Sequence, residues 1–185
     1  MEIGAEFLLG LAGVSATLVG TFLVGVFFYI DTDLHRRLAT SEAADMYLRS
    51  GFRWVFIAYS LPVMVPLALA ALDPLWGALV FIVLGAVLVL ASVDTGRRIL
   101  VEGGSGMSRA LMINEWLTSA AAVVIVVLPW VLGGWVPSPD AYVPSLLIAL
   151  AAGFTSTAAV VMALFDATMG MPARQQAPPK RGRGR

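Results

Sequence analysis

Long stretches without any charged side chain dominate this sequence. Five of them lie between Glu6 and Asp31, Arg53 and Asp73, Asp73 and Asp94, Glu115 and Asp140, and Asp140 and Asp166. Each is long enough to supply the roughly 20 apolar residues that a helix needs to cross a lipid bilayer. Because an unpaired backbone amide in hydrocarbon costs several kcal/mol, such a stretch must be helical in lipid. The sequence therefore predicts an all-α integral membrane protein, a bundle of five transmembrane helices.

The predicted membrane domain takes up residues 1–171 and leaves little chain for anything else. Hydrophobic residues make up 59% of the sequence and charged residues 13%, against about half and about a quarter in globular proteins. The spans are predicted at about residues 7–30, 53–72, 75–94, 110–132 and 143–165. Residues 172–185 are rich in Pro, Gln and Arg and cannot bury apolar surface, so we expect a disordered basic tail on the cytoplasmic side.

The basic residues predict the orientation of the bundle. All twelve Lys and Arg lie in three patches. The patches are Arg36, Arg37, Arg49 and Arg53; Arg97, Arg98 and Arg109; and Arg174, Lys180, Arg181, Arg183 and Arg185. With five spans all three patches fall on one side, and the positive-inside rule makes that side the cytoplasm. We therefore expect an N-out/C-in, multi-pass protein, and the bias toward Ala, Val, Leu, Gly and Arg favours the plasma (inner) membrane of a prokaryote.

Aromatic residues mark the ends of the predicted spans. Tryptophan and tyrosine are enriched where lipid headgroups meet the hydrocarbon, because one end of each ring system is polar. The residues at the inner interface are Tyr29, Tyr47, Trp54 and Trp116, and those at the outer one are Trp76, Trp130, Trp135 and Tyr142. All eight are predicted to lie at an interface.

A short amphipathic helix is predicted between the first two spans, over residues 41–53. Asp45 precedes Arg49 by four residues, an arrangement that favours an ion pair along one helix face. Met46 and Tyr47 offer an apolar side to the membrane surface. The helix is therefore expected to lie on the cytoplasmic interface.

The first span carries small residues at four-residue steps, namely Gly13, Thr17, Thr21 and Gly25. Side chains of this size let a neighbouring helix approach closely, and such stripes are the usual contact between membrane helices. The stripe predicts helix packing, either inside the monomer or in an oligomer. It favours a non-catalytic scaffold or accessory subunit that forms a homo-oligomer or binds a partner membrane protein. A polar pore lining is the alternative.

The second span contains Pro62 and Pro66, four residues apart. Each lacks an amide donor and crowds the carbonyl one turn earlier, so we expect a kink and a candidate hinge. Most prolines in membrane helices are architectural, and only some act in gating.

The acidic residues are the main candidates for a functional site in this chain. Asp31, Asp94, Glu115 and Asp166 fall at the same predicted end of four different spans, and ionisable groups inside a membrane are functional candidates by default. Glu115 is the strongest candidate for a proton or ion site, with Asn114 and Thr118 beside it and Asp94 and Asp166 as accessory acids. The candidate charge partners are Arg53, Arg97 and Arg98.

Two interpretations of this acidic cluster are open. One is a set of salt bridges that joins the inner ends of the helices, which fits the scaffold hypothesis. The other is a small ion- or proton-coupled transporter or channel that works through Glu115. An intramembrane enzyme is a third class, which would need two acids close together in an accessible cleft.

No complete catalytic constellation is found in the sequence. Cysteine is absent and His35 is the only histidine, so no metal site, thiol nucleophile or catalytic triad is predicted. The tripeptide Asp94-Thr95-Gly96 matches an aspartic-protease signature only locally, because those enzymes are β-rich and need two such loops. We expect no cofactor and no enzymatic activity. The basic tail is expected to bind anionic lipid headgroups rather than nucleic acid.

Overall fold

The computed structural model describes residues 4–31, 42–102 and 109–169, and these residues form five helices. They are α1 (Ala5–Asp31), α2 (Glu42–Ala71), α3 (Pro74–Glu102), α4 (Arg109–Gly133) and α5 (Pro139–Met169). Each contains a stretch long and apolar enough to cross a membrane: Ala5–Tyr29, Gly51–Ala71, Pro74–Asp94, Trp116–Gly133 and Pro139–Met162. The described ranges contain no strand. The prediction of five apolar helices is confirmed.

Helix α2 lies at the centre of the bundle. It packs against α1, α3 and α5, while α4 packs against α3 and α5. Helices α2 to α5 therefore close into a ring of four, and α1 is attached to the outside of α2. Residues Val55, Ala58, Leu61 and Val65 of α2 are completely buried. Their spacing of three and four residues keeps them on adjoining faces of one helix, which is why α2 can contact several neighbours at once.

Two short connections join helices at one end of the bundle, which we call the turn end. Between α2 and α3, the backbone amide of Trp76 donates to the carbonyl of Asp73 (2.9 Å), and Pro74 occupies the first helical position, where its missing donor costs nothing. Between α4 and α5, Gly134 adopts a left-handed φ of 71°. Its amide donates to the carbonyl of Trp130 (3.0 Å) and so closes α4.

The opposite end of the ring, which we call the arginine end, includes Arg53 and Arg97. Here the second predicted span begins and the third finishes. The two helices run antiparallel, since Gly77 of α3 lies against Leu69 of α2 near the turn end and Trp54 of α2 bonds to Ser92 of α3 near the arginine end.

The short amphipathic helix predicted over residues 41–53 is not a separate element. From Glu42 onward its backbone forms the first turns of α2, which continues without a break to Ala71. Gly51 is the weakest helix former within residues 42–53, and a single interior glycine costs only about 1 kcal/mol. It also makes room for α5, because a Cβ at position 51 would lie 3.1 Å from Val160 Cγ2. Residue 41 lies outside the described residues.

Candidate functional site

The arginine end brings together one predicted accessory acid and one predicted charge partner. Arg53 Nη1 of α2 lies 3.9 Å from Asp94 Oδ2 of α3, and the two side chains are 66% and 48% exposed. At this exposure the attraction is largely screened, and such pairs contribute about 0–1 kcal/mol. Arg97 is also exposed. Arg53 and Asp94 therefore form a solvent-exposed ion pair at this end of the bundle rather than a buried charge site.

A buried hydrogen-bond chain lies directly beneath this pair. Trp54 Nε1 donates to Ser92 Oγ over 3.1 Å, and the Ser92 hydroxyl in turn donates to the carbonyl of Leu88 over 3.0 Å. Trp54 is only 6% exposed, so it faces the bundle interior and does not belong to a lipid-facing aromatic belt. Its pairing with a serine on another helix leaves no signal in the sequence.

The predicted site around Glu115 stays a prediction. Asn114 and Glu115 lie in α4, Asp166 lies in α5 and Arg98 lies in α3, but their side chains fall outside the described part of the structure. Thr118 is half-buried. Among the described residues there is no group of three or more His, Asp or Glu side chains that could hold a metal ion. The basic tail also lies outside the described residues.

The small-residue stripe of α1 faces away from the bundle. Gly13, Thr17, Thr21 and Gly25 are all exposed, and a Cβ built on either glycine would meet no atom within 4 Å. The opposite face of α1 is the one that packs on α2, through its buried side chains Leu8, Leu11, Ala12 and Ser15. The sequence left open whether the stripe packs inside the monomer or in an oligomer. The structure shows that it does not pack inside the monomer.

The predicted hinge prolines lie in the core. Pro62 and Pro66 of α2 and Pro129 of α4 are all fully buried. Because proline has no backbone N–H, the carbonyl four residues before each one loses its usual helical donor. Buried prolines therefore leave hydrogen-bond acceptors inside the ring of four helices.

Two buried hydroxyls lie in the same half of the core. Tyr142 and Ser145 of α5 are completely buried, and neither side-chain oxygen has a hydrogen-bond partner in the described part of the protein. The Tyr142 ring packs against Phe81 of α3 and Trp130 of α4, with ring centroids 5.2 and 6.5 Å away. Tyr142 is predicted at the outer interface, and that depth stays a prediction; the structure adds that Tyr142 lies in the first turn of α5, which begins at Pro139, and that its ring faces the core.

No protein-family model, curated protein or solved structure matches this chain. Three regions stand out in the described part of the structure: the ion-paired arginine end, the exposed stripe of α1, and the core near the turn end with its two buried hydroxyls.

Proposed function

We propose that this chain is a non-catalytic membrane scaffold or accessory subunit that assembles through the exposed small-residue stripe of α1, with a second copy of itself or with another membrane protein. The observation that carries the proposal is the open space in front of Gly13 and Gly25. Small residues on a membrane helix bring backbones close together, and close backbone packing drives association where lipid removes the hydrophobic effect.

Bulky side chains such as Val14, Val24 and Phe28 are also exposed on α1, beside the stripe, but the outward faces of α3 and α4 differ from the stripe itself. Those of α3 and α4 carry bulky apolar side chains that suit contact with lipid tails. The exposed members include Leu79, Ile82, Val83, Leu90, Leu117, Val124 and Val131. A stripe of glycine and threonine on α1 leaves a shallow groove where acyl chains pack less tightly than a complementary helix. This contrast supports protein rather than lipid as the occupant.

The threonines on the stripe do not need a polar partner. Thr17 Oγ1 donates to the carbonyl of Gly13 over 2.9 Å, and Thr21 Oγ1 donates to the carbonyl of Thr17 over 2.9 Å. With their hydroxyls satisfied inside α1, these residues present mainly methyl groups and a flat backbone. This supports helix packing over a pore lining, since a pore would use hydroxyls that are turned toward water.

Self-assembly has a simple geometry in a bilayer. Copies that insert in the same N-out/C-in orientation are related by an axis along the membrane normal, so two α1 helices would meet in parallel. A four-residue repeat of small residues suits a right-handed crossing of about −40°. The engagement of Asp94 by Arg53 at the arginine end supports a structural role for the inner acids and so favours a scaffold over a transporter.

Disulfide crosslinking tests this proposal directly, because the sequence contains no cysteine. We expect Thr17→Cys to form a covalent dimer on mild oxidation in native membranes, since Cα atoms at a disulfide lie about 4.4–6.8 Å apart. The matched control is Ile82→Cys, an exposed residue of the bulky face of α3. It should give little dimer.

A second substitution separates chance collision from a real interface. Thr17→Leu fills the groove and should convert the dimer to monomer, as measured by mass photometry or light scattering in mild detergent. Val83→Leu, on the bulky face of α3, should leave the dimer intact. Equal crosslinking at positions 17 and 82, or a native chain that is monomeric in membranes, would contradict self-assembly through α1.

A further inference from the structure

A row of apolar side chains lies on the outer side of α2, and an arginine stands at one end of it. The apolar members are Phe56, Met64 and Leu67, which are between 42% and 50% exposed. Arg53 precedes them at the arginine end. With 3.6 residues per turn, steps of three and eight residues keep all four side chains on one face of the helix. We call Phe56, Met64 and Leu67 the outer strip of α2.

The neighbouring helices leave this strip open. Phe52, immediately before Arg53, packs edge-on against Phe22 and Tyr29 of α1, with ring centroids 5.8 and 5.7 Å away. Trp54, immediately after Arg53, bonds to α3. Successive residues of a helix point about 100° apart, so Arg53 and the strip below it face outward between α1 and α3.

The arginine end of the strip carries two cations and one acid. Arg53 Nη1 lies 3.9 Å from Asp94 Oδ2, which is longer than a hydrogen bond, so this pairing leaves guanidinium N–H groups for a second anion. Arg97 follows Asp94 by three residues in α3, which puts their Cβ atoms about 5–6 Å apart on one face. Arg97 is also exposed. The three side chains together carry one net positive charge.

The strip and its arginines have the same order of charge and apolar surface as a phospholipid. No Lys or Arg lies between Arg53 and Arg97, or between Arg109 and Arg174, so neither connection at the turn end contains a basic residue. Met64 follows Arg53 by eleven residues, which is about 16 Å of helix. One leaflet of hydrocarbon is about 15 Å deep. An acyl chain of that leaflet can therefore cover the strip while its phosphate stays beside the arginines.

We infer that this surface is a binding site for an anionic phospholipid, with the phosphate on Arg53 and Arg97 and an acyl chain along the outer strip of α2. A guanidinium presents paired N–H groups that match phosphate oxygens, and basic groups at the ends of membrane helices bind anionic headgroups.

Lipid suits the strip better than a protein helix does. Phe and Met side chains hold a neighbouring backbone away, whereas membrane helices associate through small residues. The site lies on a different helix from the α1 stripe and goes beyond the proposed function, because its occupant is a lipid rather than a protein.

Native mass spectrometry of the full-length protein tests the headgroup. We expect phosphatidylglycerol to be retained in preference to phosphatidylcholine with the same acyl chains. Arg53→Gln and Arg97→Gln should each weaken that retention about tenfold, because each removes charge-assisted hydrogen bonds. Arg185→Gln removes the same charge from the tail and is the matched control. Equal retention of the two lipids, or an equal loss in Arg185→Gln, would overturn the proposal.

A second pair of variants tests the acyl chain. Phe56→Ala should weaken retention of phosphatidylglycerol severalfold, since it removes apolar surface from the strip. Phe154→Ala is the matched control, because Phe154 is a 60% exposed phenylalanine of α5, and retention there should be unchanged. Equal effects at the two positions would contradict a lipid seated on α2.

Two further measurements identify other occupants. Millimolar sn-glycerol 3-phosphate, which has the phosphate but no acyl chain, should not displace the bound lipid. Displacement would assign the arginines to a soluble phosphate compound. Met64→Cys should give little covalent dimer on mild oxidation in native membranes. Efficient dimer formation would place a second copy of the chain on the strip, and either result would overturn the proposal.

Discussion

Gly153 lies so close to the ring of Tyr59 that a Cβ at position 153 would come within 2.9 Å of Tyr59 Cε1. This contact joins α5 to α2, the central helix, and the same ring ends in the hydroxyl that lies 3.3 Å from Thr157 Oγ1. Tyr59 is buried and held at both its edge and its hydroxyl, so it has little freedom to move aside. Glycine at position 153 is therefore required by packing rather than by backbone conformation.

Gly153→Ala should destabilise the protein. Adding atoms to a well-packed core costs about 1–3 kcal/mol, only partly offset by the better helix propensity of alanine. The measurement is unfolding in detergent by denaturant or heat. Gly20→Ala is the matched control, because a Cβ there meets nothing within 4 Å. It should leave stability unchanged or slightly improved, and a similar loss at both positions would contradict the packing argument.

Ser92→Ala should lower the free energy of unfolding by more than the loss of one small hydroxyl group suggests. The substitution removes the acceptor of the buried Trp54 indole N–H, and an unsatisfied buried donor costs about 1–3 kcal/mol. Ser60→Ala removes a hydroxyl of the same size that bonds only to the carbonyl of Phe56. Its expected effect is close to zero. Equilibrium unfolding of the two variants side by side tests the difference, and equal stabilities would argue against a contribution from the Trp54 hydrogen bond.

Arg53→Gln should have a small effect on stability, below about 1 kcal/mol. The guanidinium is 66% exposed and lies 3.9 Å from Asp94, so solvent and salt screen the attraction. A double-mutant cycle with Asp94→Asn measures the coupling between the two residues. We expect a value that shrinks as ionic strength rises. A coupling of several kcal/mol, insensitive to salt, would indicate a desolvated pair and would reopen a functional role for this end of the bundle.

Glu115→Gln tests the transport hypothesis. If the inner acids are structural, the native protein in proteoliposomes should conduct protons, Na⁺ and K⁺ no faster than protein-free vesicles, and the substitution should change nothing. Fluorescent pH and ion indicators inside the vesicles give the measurement. Ion flux in the native protein that Glu115→Gln abolishes and Ser60→Ala preserves would support a transporter, because an intramembrane carboxylate would then be the conducting group.

The number and type of the main elements were predictable because the physics behind them is local. A charge-free run of about 20 residues in lipid must satisfy its own backbone hydrogen bonds, and only a helix does so within one segment. The same local argument failed over residues 41–53. Their amphipathic pattern predicted a separate helix, but residues 42–53 contain no proline that would end a helix before the second span begins, and α2 continues through.

Which face of each helix meets protein was not predictable from hydropathy, because lipid and protein interior are both apolar. The sequence alone determined that this chain has five helices long and apolar enough to cross a membrane, and it marked a small-residue stripe at Gly13 and Thr17. Only the tertiary structure decided that the stripe faces outward, that Trp54 and Tyr142 face inward, and that Arg53 approaches Asp94. Each of these outcomes depends on how two helices rotate and shift against each other, and that relationship is set by the summed packing of the whole bundle rather than by any one segment.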